Sequence, residues 1–308
     1  MAEITQQSGT WSFDGEAIRI VPGSGRGRHA LRSALGELTV PLSAVAGVSF
    51  EPGRKGGGRL RLRMRPGADP LSQATAGRLP EAAEPYVLEV DPGGEILAEY
   101  LVDEVREARL LEQVPDTPAD RYLLPGPGVP LLLKASDGTL AFDGETLRLE
   151  WLWTAEESKK SVGPRVIPFA EVSGLEWSLP QGLENGYVRV VTRGPQTRAA
   201  PDHDPCSVVL WGVRKTREVT QVALLAAAVA ARLPHPCGQR DDPAPLPVAG
   251  APSPVKAGPP GTAPAEAPGG DGHDALLRRL RELGELHAAG VLTEEEFRTA
   301  KKAVLDRF

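Results

Sequence analysis

The chain has 308 residues, 41% of them hydrophobic and 25% charged, which is enough for two ordinary cores with length left over for linkers. Its formal net charge of -6 opposes general affinity for nucleic acid or anionic membranes, because both depend on summed positive charge; only a local basic patch could supply either. The two cysteines, Cys206 and Cys237, lack metal-ligand spacing and argue against a disulfide framework, so a reducing, cytoplasmic setting is expected.

The first seven residues have no basic segment leading into an apolar run, and no secretory signal is expected there. The opening phrase of the next stretch, Gly9-Thr10-Trp11-Ser12-Phe13-Asp14-Gly15-Glu16-Ala17-Ile18-Arg19-Ile20, recurs as Gly138-Thr139-Leu140-Ala141-Phe142-Asp143-Gly144-Glu145-Thr146-Leu147-Arg148-Leu149, and seven of its twelve positions are identical. Asp-Gly between short apolar-rich runs predicts a hairpin with a two-residue type I′ turn. The phrase opens each of two repeats, 8–114 and 131–234.

Both repeats continue in parallel. Leu38-Thr39-Val40-Pro41 leads to Gly47, and Val166-Ile167-Pro168 leads to Gly174, six residues past the proline in each case. Each proline predicts a strand end or edge, and each glycine a bulge or close backbone approach. Leu60, Leu62 and Met64 then alternate with Arg59, Arg61, Arg63 and Arg65, the period of a half-buried strand, and 187–192 takes the same place in repeat two. Last strands are expected at 86–90 and 207–211. The period next changes to that of a helix, with a stripe of Leu97, Leu101, Val105 and Ala108 in repeat one and Val222, Ala226, Val229 and Leu233 in repeat two. The longest apolar stretch, 222–231, is too short to span a bilayer.

The Phe-Asp-Gly turn, the proline with its glycine six residues on, and the terminal helix together resemble a tandem family of unknown function found in actinobacteria, over about 8–234. An excess of Arg over Lys with abundant Ala, Gly and Pro fits such a source. The resemblance implies an α+β fold of two tandem PH-like (pleckstrin-homology-like) split β-barrels, each closed by a C-terminal helix. It implies no catalytic residues and no cofactor.

Between the repeats, 115–130 is rich in Pro and Gly and predicts a stiff connector. From 235 to 272 proline and glycine dominate and no residue is aromatic, so this segment cannot bury enough apolar surface to offset its ordering entropy. A disordered tether with a reach of about 35 Å is expected. Residues 273–308 return to helical periodicity as a hairpin: Leu276, Leu280 and Leu283 form one stripe, Thr293 and Glu296 a capping box, and Phe297, Val304 and Phe308 a second apolar face. Leu-x-x-Leu-x-x-Leu followed by Ala-Gly-Val-Leu-Thr-Glu-Glu-Glu-Phe resembles the short C-terminal domain called SHOCT, which implies oligomerisation or docking onto a protein partner. A two-helix hairpin of this size needs a partner surface to complete its core.

The charges are segregated. Residues 19–65 hold ten basic and two acidic side chains; residues 66–115 hold three basic and eleven acidic. Arg26, Arg28, Arg32, Arg59, Arg61 and Arg63, with Lys159 and Lys160 in repeat two, are therefore candidates for a basic face toward an acidic protein or anionic lipid. The alternative is a solvated outer sheet face. Gly23-Ser24-Gly25-Arg26-Gly27-Arg28 lacks the last glycine of a dinucleotide loop and the Lys-Ser/Thr of a P-loop, and is expected to be a plain loop. Asp202-His203-Asp204-Pro205-Cys206 offers metal-ligand types, but near neighbours seldom converge on one ion without a further ligand. Two readings follow. One is a non-enzymatic cytoplasmic adaptor; the other is a small-molecule or metal-dependent enzyme with a site near Asp202 and His203. Nucleic-acid binding through the Arg59–Arg65 ladder lacks a recognition helix.

Overall fold

The computed structural model describes residues 2–25, 28–182, 184–194, 199–212 and 215–238, a mixed α+β arrangement of four antiparallel sheets. In repeat one, β1 (Ala2–Gln6), β2 (Gly9–Phe13) and β3 (Ala17–Pro22) lead through α1 (Ala30–Leu35) to β4 (Leu38–Pro41), and these four strands form one sheet in that order. The second sheet contains β5 (Val45–Pro52), β6 (Gly58–Met64) and, after α2 (Pro70–Thr75), β7 (Val87–Val90); α3 (Glu95–Leu111) follows. Repeat two follows the same plan. Strands β8 (Leu131–Lys134), β9 (Gly138–Phe142) and β10 (Thr146–Trp151) lead through α4 (Glu157–Lys160) to β11 (Arg165–Pro168). Then come β12 (Val172–Ser178), β13 (Gly186–Thr192), β14 (Ser207–Leu210) and α5 (Lys215–Ala230). Strand β1 lies ahead of residue 8, where the sequence repeat begins, and its Ala2 and Ile4 are buried.

The recurring phrase forms the same hairpin twice, in register Phe13↔Ile18 and Phe142↔Leu147. Its turn is not type I′. Only the glycine has positive φ, +106° at Gly15 and +104° at Gly144, while the aspartate keeps an ordinary backbone and acts through its side chain. The Asp14 carboxylate accepts from the amides of Glu16 and Ala17, and Asp143 accepts from those of Glu145 and Thr146. These bonds hold both carboxyls below the usual carboxylate range. Phe13 and Phe142 are 2% and 0% exposed, one in each core.

The proline and glycine signals also find physical causes. β4 and β11 end on Pro41 and Pro168 and lie at sheet edges, where a missing amide donor costs no ladder bond. The β5–β6 and β12–β13 ladders shift register at Val45/Gly47 and Val172/Gly174, a bulge in each repeat. Arg65 departs from the alternation expected of it: it is buried, donating to the carbonyls of Ser43 and Thr117.

Helix α3 packs on β1 and β5 through Ala98, Leu101, Val102 and Val105. Of the expected stripe, Leu101 and Val105 are buried and Ala108 packs against the core, while Leu97 is 50% exposed and Ala98 takes its place. Helix α5 presents Val222, Leu225, Ala226 and Val229 to its own sheets at the same i, i+3, i+4, i+7 spacing. Its opposite side is also covered. Val219, Ala223 and Ala227 pack against Leu31 of α1 and Leu71 of α2, so repeat one covers the helix of repeat two. Arg78, just after α2, stacks 3.9 Å above the Trp177 ring and donates to the Trp177 carbonyl, and the Trp177 indole N–H donates to the Ala74 carbonyl. The Pro/Gly connector is seated as well: Ala119 and Leu124 are buried in the first core, and their amides bond to Pro66 and Ala68. The described part of the segment beyond repeat two bonds back too, with His235 Nε2 2.8 Å from the Gly67 carbonyl. Among the described residues no helix is long and apolar enough to cross a membrane.

Candidate functional site

Several cations of the expected basic face stand opposite carboxylates. Strand β7 pairs with β6 so that Glu89 faces Arg59, and Glu51 faces Arg59 from β5. Arg59 also forms an ion pair with Glu81 at 2.8 Å, and Arg61 reaches the same carboxylate at 3.8 Å. The basic stretch and the acidic stretch of repeat one are thus folded against each other. Arg63 lies over the bulge glycine Gly47. Arg28 donates to Ser33 Oγ and to the Gly23 carbonyl. Lys160 pairs with Glu157 at 3.2 Å. Arg26 lies outside the described residues, as do Leu276, Leu280, Leu283, Phe297, Val304 and Phe308.

Lys159 is not on a surface at all. It is 0% exposed, donates to Asp137 Oδ2 at 2.5 Å and to the Ser207 carbonyl at 2.9 Å, and lies over the Trp151 ring. Asp137 also accepts from the Val209 amide, and burial pushes its carboxyl above the usual range despite the neighbouring ammonium. Sequence alone gave Lys159 the look of a solvated lysine beside Lys160. The four-residue helix α4 turns it inward.

The equivalent cation in repeat one is Arg32. Helices α1 and α4 start eight residues before β4 and β11, and Arg32 and Lys159 are each the third residue of their helix. Arg32 donates to the carbonyls of Glu84 and Val87, and Val87 opens β7 as Ser207 opens β14. Each cation therefore ties the β3–β4-type connection to the first residue of the last strand. What differs is the counter-charge. Asp137 directly precedes the repeated phrase, and the residue in that position in repeat one is Ser8. Ser8 Oγ donates to the Glu89 carbonyl, in the strand position where Asp137 meets Val209.

A cavity of about 250 Å³ lies at this end of repeat one, where the β1–β2 turn, the β3–β4 connection and the β6–β7 connection meet. Ser8, Gly23, His29 and Arg32 form one part of its lining, and Glu81, Glu89 and Asp91 another. Gly23 is required by close packing: a Cβ there would lie 2.3 Å from the Gln7 carbonyl oxygen, which accounts for the start of the Gly-rich stretch without a phosphate. His29 caps α1, its Nδ1 accepting from the Leu31 amide, and burial with Arg32 nearby lowers its pKa below the ordinary histidine value. Such an arrangement can bind a small polar group; among the described residues it shows no nucleophile hydrogen-bonded to a base.

Around the second candidate, His203 is exposed and its Nδ1 lies 3.4 Å from Ser158 Oγ. Asp204 is buried and serves the fold, paired with Arg189 at 2.7 Å and accepting from the Cys206 amide. Burial raises the Cys206 thiol pKa, the opposite of nucleophile activation. Among the described residues no group of three or more His, Cys, Asp or Glu could hold a metal ion.

Comparison with known families returns two matches. A model described as a domain of unknown function (DUF4429) matches residues 11–106 and 140–230, one segment in each repeat. A model described as a short C-terminal domain (SHOCT) matches residues 278–305. No curated protein matches the chain.

Proposed function

The chain belongs to this DUF4429 family of unknown function and carries a SHOCT domain, and from that premise we propose a non-enzymatic adaptor that holds a ligand in its first repeat and assembles through its C-terminal segment. We read each repeat as a PH-like unit: a four-stranded and a three-stranded antiparallel sheet followed by one helix packed on both. The observation that carries the binding role is the divergence of two otherwise matching repeats. Repeat two fills the end of its barrel with Lys159 and Asp137, while repeat one leaves about 250 Å³ open beside Arg32. Duplicated units that keep one frame and differ in the residues at one such end divide the work between structure and recognition.

The apolar stripe of Leu276, Leu280, Leu283, Phe297, Val304 and Phe308 supports the assembly role, because a short helical hairpin has too little core of its own to stay folded alone. Tethering would convert weak contacts into avid ones through effective concentration. The partner of the first repeat is taken to be a protein rather than an anionic membrane, given the carboxylates that meet Arg59 and Arg61. The test is capture from the native cell with two baits, the full chain and a chain ending at Gly238. A partner held by both baits supports recognition by the repeats; capture by neither refutes it.

A further inference from the structure

The two cations Arg32 and Lys159 serve as each other's control. In repeat two the ammonium has a backbone carbonyl on one side and the Asp137 carboxylate on the other. In repeat one the carbonyl bonds are kept, but serine occupies the position of the aspartate. Arg32 spends Nε and Nη2 on the Glu84 and Val87 carbonyls, and its Nη1 makes no hydrogen bond among the described residues. Glu84 and Glu89 lie near enough to be felt by this half-buried guanidinium, but neither carboxylate bonds to it, so Nη1 is left to donate to one at the position Asp137 holds in repeat two, and charge-assisted bonds to arginine are roughly twice as strong as neutral ones.

We infer that the cavity of repeat one binds a carboxylate ligand, seated beside Arg32 and Ser8 where Asp137 sits in repeat two, with a cationic group at its far end. This rests on the binding role proposed above and specifies its chemistry. The far end follows from the rest of the lining. Glu81 is engaged by Arg59, but Glu89 and Asp91 also line the cavity and repel a second anionic group. A zwitterion satisfies both sides: its carboxylate accepts from Arg32 Nη1 and its ammonium faces the acidic wall. The volume suits a free amino acid or the end of a short peptide. A phosphate, with about two negative charges at neutral pH, meets that wall at a cost.

The probe is 6-aminohexanoate, titrated calorimetrically into the full-length protein, with hexylamine and inorganic phosphate as controls. Saturable binding of 6-aminohexanoate is expected, with hexylamine and phosphate weaker by about tenfold or more. Ser8→Asp supplies the missing carboxylate from within the chain, as repeat two does, and should weaken the probe by about tenfold or more while leaving the melting temperature equal or higher. Arg32→Gln should also abolish binding, and Ser8→Asp keeps the test valid if that variant fails to fold. Unchanged affinity in Ser8→Asp, equal binding of phosphate or hexylamine, or no binding by the wild type overturns the inference. If cellular capture by both baits persists in any of these cases, the carboxylate is wrong and the binding role stands.

Discussion

Lys159 Nζ lies 2.5 Å from Asp137 Oδ2 with the lysine fully buried and the aspartate nearly so. Two opposite charges removed from water together depend on each other: removing one partner leaves a buried, uncompensated charge and costs about 3–5 kcal/mol. Lys159→Ala is therefore expected to lower stability by about that amount in a urea melt, and Lys160→Ala, one residue away on the surface, by less than about 0.5 kcal/mol. Equal, small effects would return Lys159 to the surface.

The two phenylalanines that precede the Asp-Gly turns test the equivalence of the cores. Phe13→Ala and Phe142→Ala should each cost about 3–5 kcal/mol, measured by chemical denaturation. Phe142 also packs on Phe169, with ring centroids 5.3 Å apart, so its loss is expected to be the larger.

The joint between the repeats is expected to depend on small residues in α5. Ala223→Glu places a carboxylate against Leu31 and Leu71 and should cost several kcal/mol, as burial of an unpaired charge does. The corresponding α3 position, Glu99, is exposed, and Glu99→Ala should stay within about 0.5 kcal/mol. A small effect at Ala223 would mean that the α1–α2 contact adds nothing to stability.

Acidification should loosen the α1 connection. His29 has its pKa lowered by burial and by Arg32, so the neutral ring is favoured in the fold. The stabilisation it gives is complete above the ordinary histidine value and is lost as the pH falls through the lowered one. His29→Asn keeps a helix cap without this titration and should flatten the dependence between pH 7 and about pH 5. Amide hydrogen exchange in 30–35 reads the outcome; an unchanged profile in the variant counts against it.

The C-terminal segment is expected to set the assembly state. Light scattering should give the full chain a mass that is a multiple of its own 32.7 kDa, and both a chain ending at Gly238 and Phe297→Asp the masses of their monomers. The same number of copies per particle for all three would leave only docking onto another protein.

Much of the frame was legible because it is local. The duplicated phrase, Pro41 and Pro168 at strand ends, and Gly47 and Gly174 at bulges each follow from backbone geometry within a few residues. The site was not, because it depends on what lies across the fold. Nothing near Arg59 in the chain announces Glu81 or Glu89, and nothing near Lys159 announces Asp137, twenty-two residues earlier. One signal was available: aligning the repeats pairs Ser8 with Asp137, a change from neutral to charged directly before a phrase otherwise preserved.

The contact of α1 and α2 with α5 joins unlike surfaces, and a joint of that kind has no built-in end: copies of it can add without limit into a fibre. Here the addition stops by composition. Matching the buried faces of the two long helices sets Glu99 and Asp103 of α3 where α5 has Ala223 and Ala227. The α1–α2 face is itself filled by α5 of the same chain, and α3 presents carboxylates where such a face needs an alanine surface. The joint therefore closes within one chain, one repeat seated on the helix of the other.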